Sequence, residues 1–417
     1  MEPGEHLFRR EAGRMVAALT RIFGLHNLAL AEDVVQDAFC RALEVWRIRG
    51  MPDNPSAWLM RTAKNRAIDI LRRERRALDF APELERLFES EWTLVPTVSG
   101  LFTEHSIRDD QLRMMFTCCH PRLPEQTQVA LVLQLACGFT APEIASAFLS
   151  GRAGIEKRIA RAKKVLASSK MLFDFADGEF ALRLVAVQRA LYLLFNEGYH
   201  GASSQGAVRT ELCREAMRLV TLLLDDPRTA TPATYALCAL MHLHAARLPA
   251  RVDASGALTS LYDQDRSRWD TRQVAEGQRL LERSAAGGEV SEYHVEAAIA
   301  WLHASARRFE DTDWGKIVFL YDTLMTIRGS PVVALNRAIA VGQHESPERG
   351  LEEIDKIVDR ERLAEYPFYH AALAELELRR GRYEPARTHF QAALGLARNP
   401  MERRFLERRL EACLVRS

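Results

Sequence analysis

Residues 124–166 read PEQTQVALVLQLACGFTAPEIASAFLSGRAGIEKRIARAKKVL, and their punctuation decides the fold of the region. Pro124 opens a strongly apolar helical stretch. Gly138 ends it at the place where a helix C-terminus favours a residue free to take positive φ. Thr140-Ala-Pro-Glu143 then predicts a capped helix start, with Pro142 in the first turn, where its missing N–H is no loss. The short helix EIASAFL follows, Ser150-Gly151 supplies a turn, and AGIEKRIARAKKVL returns to a helical period that buries Ile155, Ile159, Ala162 and Leu166. Its other face carries Lys157, Arg161 and Lys164, with Arg158 beside them and Arg152 near the start. A short helix, a tight turn and a basic amphipathic helix make a helix-turn-helix, whose second helix enters the DNA major groove. Between residues 152 and 170 seven cations stand against one acid, Glu156, which argues for a polyanion rather than a merely solvated face.

Upstream, AEDVVQDAFCRALEVW (31–46) places Val35, Ala38, Phe39, Ala42 and Trp46 on one helical face and Asp33, Asp37 and Glu44 on the other. The acidic face suits either solvent or a basic partner. After the MPDNPS turn, where Asn54-Pro55 breaks the chain and Ser56 is placed to cap, AWLMRTAKNRAIDILRR (57–73) carries an apolar stripe of Leu59, Met60, Ala63, Ala67, Ile70 and Leu71. Trp58, Arg61, Thr62, Asn65, Asp69 and Arg72 fall opposite. Cations can neutralise phosphate, a ring can stack a base and an amide can read an edge, so this face suits nucleic acid. Trp58 equally suits a cover over a helix junction.

The whole chain of 417 residues is nearly neutral, with 57 Lys and Arg against 56 Asp and Glu. A uniformly basic nucleic-acid coat is therefore excluded, and any DNA surface is local. Hydrophobic residues at 47% and charged residues at 27% exclude wholesale disorder. Ala, Leu, Arg and Glu dominate, alternating β-branched runs are missing, and the fold class is all-α. Composition divides the chain into a helical module at 1–78 ending in a basic run (72–76), an acidic linker at 79–110, the helix-turn-helix module at 111–170, and a balanced helical remainder at 175–417. The linker holds eight acids against Arg86 and Arg108 and shows no clear period. Seven cysteines without any CxxC do not make a disulfide framework. Cys118 and Cys119 beside His120 invite a zinc reading, but adjacent thiols do not readily share one tetrahedral ion and no second ligand pair follows, so packed free thiols are expected. With no signal segment and no long apolar run, the expected place is the cytoplasm, with no membrane partner.

The remainder carries no reactive constellation: no Gly-rich phosphate loop, HExxH or nucleophile elbow, so neither an enzyme nor a bound cofactor or metal is expected. HAALAELELRRGRYEPARTHFQAALGLARNP (370–400) fits a 34-residue tetratricopeptide pattern through Leu373, Ala374, Gly381, Tyr383, Ala386, Phe390 and Ala393. A poorer copy runs through Ala334, Leu335, Ala338 and Leu351. DQDRSRWD (263–270) imitates an EF-hand loop but has Arg268 where Gly belongs and Val274 where Glu belongs; a helix start capped by Asp270 and answered by Gln273 is expected instead. His242 and His244 in MHLHAAR point apart on a helix and read as core or interface.

On these residues the chain resembles the extracytoplasmic-function (ECF) sigma factors of bacterial RNA polymerase. AEDVVQDAFCRALEVW and NPSAWLMRTAKNRAIDILRRERR resemble their region 2, residues 111–170 their region 4, and the acidic stretch their inter-domain linker. ALYLLFNEGY (190–199), DQDRSRWD and SPVVALNRAIAV (330–341) are similar to the subgroup with a tetratricopeptide-like C-terminal extension. The resemblance implies core RNA polymerase and promoter DNA as partners, the polymerase through its β′ clamp and β flap. It implies that Asp33, Gln36 and Asp37 dock the β′ clamp. The loop from Trp46 to Ser56, with Trp58, Arg61 and Asn65, would receive a base of the −10 element, while Arg72, Arg73, Arg75 and Arg76 hold phosphates. The helix with Arg152, Lys157, Arg158, Arg161 and Lys164 would read the −35 element. It departs from the family pattern in having glycines at 151 and 154. The linker would follow the RNA exit path, and the extension would act within the chain on the two DNA-facing modules. A stand-alone helix-turn-helix regulator and a repeat scaffold for a protein partner are the alternatives; the first leaves the acidic face of Asp33 and Asp37 unexplained.

Overall fold

A computed structural model describes residues 3–74, 98–147, 151–168, 177–200, 208–253 and 255–414. Among them every regular element is helical, and the one extended pairing is an isolated bridge between Val252 and Leu258. The chain forms two compact units, Met1–Leu194 with Asp225–Thr229, and Phe195–Leu224 with Ala230–Ser417.

In the first unit, α1 (Pro3–Phe23) runs through the centre and buries Met15, Ala17, Ala18, Leu19, Ile22 and Phe23. Against it pack α2 (Leu28–Arg49), α3 (Pro55–Glu74) and α4 (Glu104–Cys118). α5 (Glu125–Leu131) runs into a π-helical turn at Val132–Ala136, and α6 (Ala141–Ala147) and α7 (Arg152–Ser168) follow. The backbone of α1 touches that turn: a Cβ on Gly13 would lie 2.2 Å from Ala136 O. Gly138, at φ +70°, ends the apolar helix as expected, and a Cβ there would lie 2.4 Å from Arg9 O. Glu143 closes the capping box, accepting from Thr140 N and Thr140 Oγ1 at 2.8 Å each.

Three expectations need correction. Asn54, not Ser56, caps α3: Pro55 takes the first helical position, Asn54 Oδ1 accepts from Ala57 N at 3.0 Å, and Ser56 donates instead to Glu11. The acidic stretch does not stay irregular to residue 110. Thr103 caps α4, and its acids Asp109 and Asp110 face Arg21 and Arg113, charges that a local count omits. The remainder of that linker, 79–97, lies outside the described residues. Finally, the start of α8 (Asp177–His200), read as part of the extension, packs in the first unit. Phe180 lies 4.7 Å from Phe116 and beneath Arg228, and Arg183 donates to Phe116 O.

The second unit is a succession of helices, each packed on the next. Its apolar residues gather in small consecutive cores: one around Val295, Ile299 and Ile317, one around Leu335, Ala338 and Leu376, and one around Ala374, Ala386 and Phe390. Ser330 and Ser346 each cap a helix whose first residue is proline. The antiparallel pair Pro367–Arg379 and Tyr383–Gly395 turns at Gly381, φ +73°, where the sequence pattern placed it.

Candidate nucleic-acid interface

On α2 the buried positions are Leu28, Ala31, Val34, Val35, Ala38 and Ala42, so Asp33, Gln36, Asp37 and Glu44 face solvent. Asp37 accepts an ion pair from Arg66 of α3 at 3.1 Å, with both side chains about half exposed. Glu32, one residue from Asp33, binds Lys163 of α7 at 2.6 Å. That pair and the packing of α7 on the Leu25–Asn27 turn join the basic helix to the foot of α2.

On α3 the stripe Leu59, Ala63, Ala67, Ile70 and Leu71 is buried, and Arg61, Asn65, Asp69, Arg72 and Arg73 are exposed. Arg75 and Arg76 lie outside the described residues. Trp58 is half-buried at the end of an aromatic row. It meets Trp46 edge-on at 5.4 Å, Trp46 stacks on Phe8 at 5.7 Å, and Phe8 meets Phe39 at 4.9 Å. The ring therefore anchors the α2–α3 turn. The apolar groups that the turn leaves in solvent are Ile48 and Met51, at 84% and 56% exposure. Sequence reasoning missed these, because a lone apolar residue in a turn carries no periodic signal.

A cleft opens beside the polar face of α3, lined by Arg14, Asn54, Arg61 and Lys64 and floored by Met60 and Ile107. Glu11 at its edge is fully buried and accepts from Arg10 at 3.0 Å, Arg14 at 3.1 Å and Ser56 at 3.0 Å. Arg14 and Lys64 escaped the sequence reading, since neither lies on a recognisable basic run. Such a cleft offers positive charge and an apolar lining together, a pairing that suits an unstacked base with its phosphate.

α7 buries Ile155, Ile159, Ala162 and Leu166, all as expected from the period. Lys157, Arg161 and Lys164 are exposed and Arg158 is half-buried, and none of the four makes an ion pair among the described residues. Arg152 is exposed but bonded to Glu156 at 2.7 Å. A Cβ on Gly151 or Gly154 would meet nothing within 4 Å, so both leave the backbone at the start of α7 uncovered. Cys118 and Cys119 are buried thiols, the first pushed well up and the second up to about 12 by burial, and His120 is buried beside them, accepting at Nδ1 from Arg122 N. Among the described residues no helix is long and apolar enough to cross a membrane.

Residues 7–77, which hold α1 to α3, match Sigma-70 region 2, and residues 183–285 match a family of unknown function (DUF6596). The chain is 39% identical over 399 residues to "Uncharacterized protein R00370" of Rhizobium meliloti (strain 1021), covering 95% of this chain and 92% of that protein. The chain belongs to the family of that rhizobial protein, and its N-terminal residues 7–77 are similar to Sigma-70 region 2.

Proposed function

We propose that this protein joins core RNA polymerase and directs initiation at a particular set of promoters, as an ECF sigma factor whose C-terminal helical array, of tetratricopeptide type, modulates it within the same chain. Asp33, Gln36 and Asp37 dock the β′ clamp. The cleft at Arg14, Arg61 and Lys64, with Asn65, Arg72 and Arg73, takes the −10 strand. α6 and α7 form the helix-turn-helix for the −35 element, with Lys157, Arg158, Arg161 and Lys164 toward DNA and the β flap beside it. The protein acts by binding and opening DNA, with no chemistry of its own.

The observation that carries this reading is the coexistence, beside a region 2 match, of an exposed acidic face on α2 and a face on α7 whose Lys157, Arg158, Arg161 and Lys164 make no ion pair among the described residues. A DNA regulator needs only the second face; a polymerase subunit needs both. Purified protein mixed with core polymerase and a pool of genomic fragments tests it. Promoter-dependent transcripts that core alone does not make are expected, and their absence from the whole pool refutes the assignment.

A further inference from the structure

Two arginines of the second unit are partly buried, and neither is ion-paired to a carboxylate among the described residues. Arg247 follows helix Pro232–Ala245, and Arg251 ends the short helix Leu248–Arg251. Arg247 donates from Nε to Gln264 Oε1 at 3.3 Å and stands over the Trp269 ring at 5.5 Å. Arg251 donates to the Tyr199 backbone oxygen at 3.1 Å, approaches His200 Nδ1 at 3.3 Å, and covers the Tyr199 ring at 4.5 Å. The groups acting on Arg247 are two more arginines, Arg251 and Arg266, and the Tyr199 phenol. Other arginines of this unit are matched by a carboxylate, among them Arg209 with Glu197, Arg398 with Glu402 and Arg409 with Glu375.

Around the unmatched pair four polar atoms are buried with no hydrogen-bond partner: Tyr199 Oη, His244 Nδ1, Trp269 Nε1 and Arg251 Nε. Tyr199 is 1% exposed and Trp269 6%. The His244 ring sits 5.0 Å from that of Tyr199, and burial, then Arg247 and Arg251, pull its pKa down to about 3, so it is a neutral donor or acceptor. Buried polar groups in folded proteins are nearly always satisfied, and buried charges are paired. Water would satisfy the neutral atoms and leave two charges unanswered, and helix C-termini supply only part of a charge. The cluster is reachable, because Arg247, Arg251 and His244 each keep some accessible surface although protein encloses much of them.

One class of ligand answers all of these groups. A guanidinium fork binds two oxygens of one oxyanion, and two forks call for about two negative charges. We propose that Arg247 and Arg251 hold a small oxyanion of charge near −2, a phosphate monoester or a dicarboxylate, with Tyr199 Oη and His244 Nδ1 as further contacts. Aromatic walls at Phe195, Tyr199 and Trp269 favour a ligand with an apolar or planar remainder. The site falls within residues 183–285, the stretch that matches a family of unknown function, and it gives the motifs ALYLLFNEGY, MHLHAAR and DQDRSRWD one shared purpose. It stands independently of the promoter reading.

Calorimetric titration of the full-length protein with inorganic phosphate and, separately, with succinate tests the site and tells the two chemistries apart. One-to-one binding of at least one of them is expected. Arg247→Met and Arg251→Met are each expected to weaken it by about tenfold or more. Without ligand, Arg247→Met should melt no lower than wild type, because it removes an uncompensated charge. Should Met at 247 not fold, Arg247→Lys keeps the charge, loses the fork, and should still bind more weakly. Wild-type protein that binds neither probe, or variants that bind as well as wild type, would overturn the proposal.

Discussion

At the scale of single residues, charge placement makes the sharpest claims. Asp37 projects from α2 opposite the buried stripe, and its one partner among the described residues is exposed Arg66. An exposed ion pair contributes about 0–1 kcal/mol, so Asp37→Arg should leave the melting curve within roughly that range. Reversing a charge at a docking contact has a much larger effect, so affinity for core polymerase should fall about tenfold or more, as measured by holoenzyme titration. Unchanged affinity would remove Asp37 from the docking face. Asp110 makes a different claim. Its side chain is fully buried; burial raises its pKa to about 7 against the pull of Arg21, and Oδ2 has no partner. A folded pKa above the unfolded value of 3.8 means that the native state holds the extra proton, so stability should fall as pH rises from about 4 to 7. Asp110→Asn should flatten that slope and raise stability at pH 8 by at most a few kcal/mol, with little effect near pH 3. Melts across pH 3–8 that show the same slope in both proteins would place the ionised carboxylate in the wild-type fold.

At the scale of elements, α7 is where sequence and structure agree best. Its four buried positions were set by the 3.6 period, and Lys157, Arg158, Arg161 and Lys164 make no ion pair among the described residues, because the one acid of the helix, Glu156, is occupied by Arg152. Replacing Arg161 or Lys164 with Ala should lower the magnitude of the log K versus log salt slope for promoter DNA by about one each if they contact phosphate. A double variant with wild-type affinity at every salt concentration would make that face solvent-facing only. The stripes of α2 and α3 and the Gly138 and Gly381 turns were legible for the same reason, because local periods and positive-φ glycines are written in adjacent residues. The α4 helix and the first half of α8 were not. Their acids and aromatics are matched by Arg21, Phe116 and Arg228, which lie far away in sequence. Asp270 caps its helix as expected, through Arg272 N and Gln273 N, but the Gln273 side chain turns to His242 at 2.7 Å. A distant histidine thus took the residue that a local rule had assigned. The candidate site divides likewise: exposed charges were visible from the helical period, whereas the cleft at Arg14 and Lys64 and the arginine cluster at 247 and 251 exist only once distant helices meet.

At the scale of the molecule, the two units are held together by different logic. The second distributes its apolar residues over consecutive small cores, so each stretch leans on its neighbours. The first concentrates them on α1, whose backbone touches both the π turn and the residue that ends it. Gly13→Ala tests that concentration with two effects of opposite sign. Helix propensity alone would favour Ala by about 1 kcal/mol. The added Cβ would lie 2.2 Å from Ala136 O, so α1 must move off the turn, and the expected outcome is a lower melting temperature. A higher one would mean that the contact yields at little cost. The same contact has a consequence for timing and dose. On the proposed function, the two promoter elements are roughly 25 base pairs apart, or about 85 Å at about 3.4 Å per pair, while here α1 and the segment leading into the helix-turn-helix are in van der Waals contact. On that reading, a molecule in this state would engage one element at a time. Its apparent affinity for a whole promoter is its intrinsic affinity scaled by the fraction of molecules in which the two modules have parted. On the proposed function, Gly13 and Gly138 would act as a gain setting: loosening the seam would lower the concentration at which the promoter responds, and tightening it would raise that concentration, without a change to any residue assigned to DNA.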